Sequence, residues 1–401
     1  MPTFGRAMLG EWLLDPRITY LNHGTVGATP RRVLEAQQSI RDEIERQPSR
    51  FMLRELADVS WGGGRSGKPR LRLAADAVAG FLGAAGDDLA FVDNATAGAN
   101  AVLRSAPLAA GDEILITDLG YGGVANAARH VAGERGLALR TVEMPAPGAD
   151  PAAFVTAMAE GLGARTRLAI VDQVTSDTAL RLPVAEIAAH CRARDVLVLV
   201  DGAHAPGAIA VDIPALGADW YLGNLHKWAW APRSCGILWA SRERQAGLHP
   251  PVVSWGLDRG MAAEFDFPGT RDPSPQLAAP AALDFMRHLG VEAVQRYNHD
   301  LAWRAARHLA ERWGVPFATP ESMIGTMAAV PLPEDLGTTA GEATRLRDAL
   351  LFEDAIEVHL HAFRGRIWAR LSAQVYNDLD DVERLGAAVL ARRPAVRAVP
   401  R

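Results

Sequence analysis

Two segments hold the residues that could do chemistry: 199-LVDGAHAPG-207 and 219-DWYLGNLHKWAWAPRSCGIL-238. Asp201 ends a run of β-branched and leucine residues, Val196–Val200, which reads as a strand buried on both faces. A carboxylate there needs a cationic partner, because an unpaired buried charge is costly. Lys227 follows in a loop between Trp228 and Trp230 and the preceding apolar residues. Desolvation lowers a lysine's pKa and turns its ammonium into a nucleophilic amine suited to a carbonyl. A third segment, 62-GGGRSGKPR-70, has the G-x-x-x-x-G-K spacing of a phosphate-cradling loop. Such a loop needs a strand before it and a Ser or Thr after the lysine. Here 51-FMLRELADVSW-61 has a helical pattern, and Lys68 is followed by Pro69, which has neither hydroxyl nor N–H. The spacing instead predicts a glycine loop feeding a helix over Pro69–Leu82, with Arg65, Lys68 and Arg70 solvated or near an anionic ligand, and the nucleotide reading fails.

The elements around these segments alternate. Strands are predicted at Leu89–Asp93, Glu113–Thr117, Ala138–Val142, Leu168–Val171, Val196–Val200 and Ile237–Ala240. Helices are predicted at Ala95–Arg104, Asn126–Glu134, Pro151–Gly161 and Pro183–Ala193. That order implies an α/β fold with a mostly parallel sheet covered by helices, and a ligand site at the strand C-termini. Helical patterns at Pro275–Leu289 and Val291–Trp313 lead to a mixture of strands (Ile324–Val330, Glu357–Leu360, Arg366–Leu371) and helices (Thr339–Leu351, Asp380–Leu390). We therefore expect three parts: an N-terminal segment, 1–30, packing on the C-terminal region; a large ligand-binding domain, 31–274; and linking helices with a small α+β domain, 275–401.

An acid at a strand end and a lysine in an aromatic loop are the two parts that a pyridoxal phosphate site requires. The phosphate needs a helix N-terminus, and 93-DNATAGAN-100 offers one between a strand and a helix. With these features in place, the chain resembles the fold-type I pyridoxal phosphate enzymes of the class V aminotransferase family, isopenicillin N epimerase-like branch. Six segments in order carry the resemblance: 21-LNHGTVGATP-30, 93-DNATAGAN-100, 201-DGAHAPG-207, 223-GNLHKW-228, 269-GTRD-272 and 370-RLSAQVYN-377.

The resemblance implies the pyridoxal phosphate-dependent transferase fold, with a seven-stranded-type sheet, and it implies roles. Lys227 would form the Schiff base and shuttle the proton at Cα. Asp201 would bind the pyridine nitrogen. His204 and Ser176 would approach the ring hydroxyl, with Ala203 under the ring and Tyr121 near it. Ala95, Thr96 and His226 would hold the phosphate, joined by Gly269 and Thr270 from a neighbouring subunit, so that the working unit is a homodimer. Arg370 would grip the substrate α-carboxylate in a bidentate pair. Asn22 and His23 line the substrate entry or only form a strand-end turn. Tyr121 stacks on the ring or packs in a core. Arg50 and Arg271 bind a second carboxylate or bridge subunits. Departures from the family pattern are Leu222 in place of a hydroxyl residue, Leu119-Gly120 in place of His-Glu, and Asp177 in place of a proline.

The resemblance leaves the reaction open among epimerisation, transamination and elimination from a cysteine derivative, and a non-catalytic cofactor-binding homologue is the alternative of another class. Relatives that desulfurate use a mobile-loop cysteine in the C-terminal third, and this chain has only Cys191 and Cys235. Two cysteines also make neither a disulfide framework nor a thiolate zinc site, so no metal is expected. The 401 residues carry 42 basic and 47 acidic side chains, a net charge of −5, which gives no bulk attraction to nucleic acid or an anionic membrane. No apolar run has membrane length and the first residues do not read as a signal peptide, so a cytoplasmic location is expected.

Overall fold

The computed structural model describes residues 3–58 and 67–393. The chain forms β1 (Thr19–Tyr20), β2 (Leu89–Val92), β3 (Glu113–Thr117), β4 (Ala138–Val142), β5 (Thr166–Asp172), β6 (Leu197–Gly202), β7 (Trp220–Asn224), β8 (Gly236–Ala240), β9 (Met327–Pro331), β10 (Ile356–Glu357), β11 (His359–Phe363) and β12 (Arg366–Ser372). Seven of them make one sheet in the order β2-β8-β7-β6-β5-β3-β4, parallel throughout except for β8, which runs against both neighbours.

The strand Val196–Val200 behaves as its composition requires. Val198 and Val200 face one hydrophobic core and Leu199 faces another, because successive side chains alternate across a sheet that is covered on both sides. β3 divides likewise, with Leu115 on the first side and Ile114 and Ile116 on the second. Helix Ala95–Ser105 follows β2, and helix Val184–Arg192 lies between β5 and β6. These crossovers leave all parallel strands ending on one side, where the site forms.

A second sheet, β11-β12-β9, is antiparallel and packs under helices Val291–Trp313, Ala340–Phe352 and Leu379–Ala391 with a core of its own. The N-terminal segment ties into this region. β1 pairs with β10, the Gly5 N–H donates to the Val375 carbonyl, and Arg6 meets Asp381 at 2.7 Å. Trp12 is buried edge-on to Trp230 and Tyr376, so the same segment also reaches the lysine loop.

Several boundaries differ from the sequence reading. The segment read as an aromatic loop before Lys227 contains a full central strand, β7. Gly223 and Asn224 are poor strand formers, yet pairing on both sides with β6 and β8 overrides that preference. The helix expected from Asn126 begins four residues earlier, at Gly122. The expected strand Glu357–Leu360 is divided at Val358 between β10 and β11, which pair with different partners. The helix after the glycine loop spans Arg70–Phe81, with Pro69 as its cap residue in extended conformation. Lys68 pairs with Asp76 at 2.7 Å and Arg70 with Glu43, so both cations have acidic partners on the protein. Residues 62–66 of the loop lie outside the described residues. Among the described residues, no helix is long and apolar enough to cross a membrane.

Candidate active site

Adjacent strand ends deliver the polar groups of one cavity. β5 ends at Asp172, β6 carries Asp201 near its end, and β7 ends at Asn224, three residues before Lys227. A pocket of about 390 Å³ opens there, and its walls include Ala95, Thr96, Tyr121, Ser176, Ala203 and His226 with the strand-end groups. Nine residues expected from the sequence thus meet in one place: these six together with Asp201, His204 and Lys227.

The Lys227 backbone is held from behind. The His23 Nε2–H donates to the Lys227 carbonyl at 2.9 Å, which leaves Nδ1 to accept from the Tyr376 hydroxyl at 2.8 Å. His23 is fully buried with both nitrogens engaged, so it stands behind the lysine and not at a substrate entry. Gly27 lies equally close, since a Cβ there would overlap the His226 carbonyl at 1.8 Å. Its φ of +69° also favours glycine.

Lys227 Nζ lies 3.1 Å from His204 Nε2, while the Trp228 indole N–H donates to His204 Nδ1 at 3.5 Å. An imidazole that accepts at Nδ1 carries its proton on Nε2 and so presents an N–H to the amine lone pair. Burial lowers the Lys227 pKa to about 8, aided by the Arg370 charge and opposed by Asp201 and Asp172. Burial also pushes His204 well below the usual imidazole range, so this histidine is neutral.

Asp201 Oδ1 accepts from the Ala203 N–H at 3.0 Å. Its Oδ2 is buried and has no hydrogen-bond partner among the described residues. Asp172 lies in register with it across β5 and β6. Both carboxyls are raised, first by burial, and Asp172 also by the Asp201 charge.

The N-terminus of helix Ala95–Ser105 is partly satisfied already. The Ala97 N–H donates to Asn94 Oδ1 and the Ala95 N–H to Asn224 Oδ1, both at 2.9 Å. The helix is thereby capped and anchored to β7, with Thr96 turned toward the cavity. His226 donates from Nδ1 to the Cys235 carbonyl at 3.1 Å, and burial lowers its pKa to about 4.

Arg370 stands one layer back and reaches the cavity through its partners. It donates to the Ser176 carbonyl at 2.9 Å, to Thr25 Oγ1 at 2.6 Å and to Asn22 Oδ1 at 3.1 Å. It is 1% exposed, its Nε is unpaired, and among the described residues no carboxylate forms an ion pair with it. Burial lowers its pKa to about 10, which still leaves it charged at neutral pH.

The family model for aminotransferase class V matches residues 64–385. The chain belongs to the class V aminotransferase family. Its class V relatives include isopenicillin N epimerase of Streptomyces clavuligerus, 34% identical over 95% of this chain and 96% of the relative. A probable chloroplastic L-cysteine desulfhydrase of Arabidopsis thaliana is 32% identical over 94% of this chain and 83% of the relative. Among solved structures, a cysteine desulfurase from Thermococcus onnurineus superposes with a TM-score of 0.77 at 19% identity, over 96% of this chain and 97% of its own. A cystine C–S lyase solved with its product cysteine persulfide gives 0.76 at 23% identity, over 94% and 98%.

The cofactor of this class V chain is pyridoxal 5′-phosphate, and the residues present fit it. The unpartnered Asp201 Oδ2 suits a protonated pyridine nitrogen, and the partly exposed cap of helix Ala95–Ser105 suits a phosphate. Leu222 is fully buried in the core and offers the phosphate no hydroxyl; Gly98 lets it pack against the helix. Gly269 and Thr270 do not line this chain's pocket. Their loop is tied back by Arg271 to Asp93 at 2.9 Å and by Arg41 to Asp272 at 3.0 Å. Arg50 pairs with Glu55.

Sequence reasoning missed Thr25, Asp172 and Asn224, which line the cavity together with Asn94 of the segment expected at the phosphate. Asp172 carried the same signal as Asp201, an acid closing an apolar strand, but the strand reading stopped one residue short at Val171. Asn94 carried an N-cap signal. Thr25 and Asn224 had no local signal, because their contacts are made across the fold.

Proposed function

We propose that the chain uses pyridoxal phosphate to labilise the Cα proton of an amino acid, with Lys227 as the group that carries the proton. One observation supports this above the others. Asp201, whose buried Oδ2 has no hydrogen-bond partner among the described residues, lines the same cavity as a desolvated lysine amine. Bound there, pyridoxal phosphate would act as an electron sink for the pair left when the Cα–H bond breaks.

The protein's own groups then divide the work. Asp201 holds a proton at the ring nitrogen, and its buried position makes that charge-assisted bond strong. Lys227 Nζ takes the Cα proton, for which a pKa of about 8 is close to the working range. The neutral His204 keeps the amine oriented through Nε2 and adds no competing charge. His23 and Tyr376 fix the lysine's backbone. Thr96 and the Asn224 side-chain amide would meet the phosphate, while Ala95 and His226, whose N–H groups already donate to Asn224 Oδ1 and the Cys235 carbonyl, would close that end of the pocket. Ser176, Ala203 and Tyr121 set the ring's position. Arg370, with Asn22 and Thr25 around it, binds the α-carboxylate, the anion that its unpaired charge lacks.

The proposal includes a homodimer in which Gly269 and Thr270 serve the neighbouring subunit's phosphate. Val252, Val253 and Trp255, which precede that loop, expose more than half of their surface, as an interface would require. It also keeps the division into an N-terminal segment, a large cofactor domain and a small C-terminal domain. Labilisation serves both activities named for the relatives, epimerisation and C–S elimination. Elimination from a cysteine derivative is the second reading, because it needs no nucleophilic thiol and burial raises Cys235 far from thiolate formation.

Incubating the holoenzyme with candidate amino acids in deuterated water tests the proposal. Deuterium at Cα with both enantiomers present marks an epimerase, a keto acid a transaminase, and pyruvate with ammonia a lyase. Cofactor uptake with no exchange from any amino acid would make the chain a non-catalytic homologue.

A further inference from the structure

β11 carries His359 and His361 two residues apart, so both imidazoles project from one face of the strand. Their rings stack at 5.3 Å, 19° from parallel. Asp177 reaches them from the turn after Ser176, and its Oδ1 accepts from His359 Nε2 at 3.2 Å. One donor atom from each of the three residues lies within 4.8 Å of the other two. From this geometry we propose a divalent-cation site of the zinc class, with His359, His361 and Asp177 as its three protein ligands.

Four observations carry the assignment. Two imidazoles and a carboxylate form the donor set of open, three-ligand zinc sites. Bonds of 2.0–2.2 Å in a tetrahedron put ligand atoms about 3.3 Å apart, and the His359–Asp177 separation meets that already. In that pair zinc replaces the shared proton. Both ring nitrogens of His361 are buried without a hydrogen-bond partner among the described residues, a state that a folded chain rarely tolerates unless a ligand completes it. Closing the widest of the three separations takes about 1–1.5 Å, within reach of side-chain rotation of His361. The site lies outside the cofactor pocket, since none of the three residues lines that pocket.

Arg370 is the opposing group. It pairs with His359 across β11 and β12, and its charge acts on both Asp177 and His361. Three ligands working against a nearby guanidinium point to a Kd on the order of micromolar. A bound ion would clamp the Ser176–Asp177 turn to β11. That turn supplies the carbonyl to which Arg370 donates, so the ion would stiffen the carboxylate-binding wall.

Equilibrium dialysis of the holoenzyme against Zn²⁺, followed by elemental analysis, tests the site. The wild type is expected to hold one ion per chain, and both His361→Asn and Asp177→Asn to weaken that binding tenfold or more. Asp177 is largely exposed, so its variant will fold, and circular dichroism checks both. His130→Asn, on the exposed His130–Glu134 pair, serves as a control that leaves binding unchanged. No stoichiometric zinc at tens of micromolar, or wild-type binding in either site variant, would overturn the proposal. A KM change on Asp177→Asn without zinc binding would likewise overturn it and give these residues to substrate recognition instead.

Discussion

The floor of the pocket and the wall behind Ser176 are both buried, and each leaves a charged group unpaired, with opposite sign. Among the described residues, Asp201 Oδ2 on the floor is an acceptor without a donor, and Arg370 Nε in the wall is a donor without an acceptor. Lys227 lies between them electrically. Asp201 and Asp172 raise its pKa and Arg370 lowers it. A protein that gained only stability would pair Asp201 with Arg370 directly, since an uncompensated buried charge is expensive. Held apart on different sheets, the two groups suit a ligand that carries a cation at one end and a carboxylate at the other.

The largest effect is expected where the two regions meet. Lys227→Ala should lower Cα-proton exchange by roughly 10⁴-fold or more, measured by loss of the Cα signal in deuterated water. The same change should stabilise the cofactor-free protein. A lysine whose folded pKa is about 8 and whose unfolded pKa is near 10.5 opposes folding in full below pH 8, and the penalty fades as pH rises through that window. At pH 7 the relief is up to about 3 kcal/mol, read as a rise in melting temperature. In the unsubstituted apo-protein, the rate of cofactor uptake should climb with a midpoint near pH 8; a midpoint near 10.5 would mean that the amine is solvated.

Next comes the floor alone. Asp201→Asn keeps the shape but removes the charge beside the ring nitrogen, and kcat should fall by about 10²–10³-fold with the cofactor still bound. An unchanged kcat would remove the floor from the chemistry. The wall alone should give the smallest effect of the three. Arg370→Lys keeps a positive charge but loses the planar fork, so KM for the amino acid should rise by about 10–100-fold with a lesser change in kcat. A fall in melting temperature with KM unchanged would assign Arg370 to structure.

The two regions also differ in how far they could be read from sequence. Val196–Val200 revealed itself by composition, and Asp201 and Lys227 followed from the cost of burying charge at its end. Motif resemblance supplied Arg370, because nothing near 370-RLSAQVYN-377 says which distant groups surround the guanidinium. Its partners, Asn22, Thr25 and Ser176, come from two other parts of the chain. β7 was hidden because Gly223 and Asn224 obey their neighbours in the sheet and not their own preferences. Asn224 then anchors helix Ala95–Ser105 across 129 residues of sequence, a contact that no local pattern encodes. The pairing of His359 with Asp177 is likewise long-range, 182 residues apart.

On the proposed reading, Lys227 and Asp201 together hold the cofactor. Borohydride reduction of the holoenzyme, followed by peptide mapping, tests it most directly. The expected result is a yellow protein that loses its colour on reduction and carries the pyridoxyl group on the peptide containing Lys227. A colourless protein that takes up no pyridoxal phosphate, or a label on any other lysine, would contradict it.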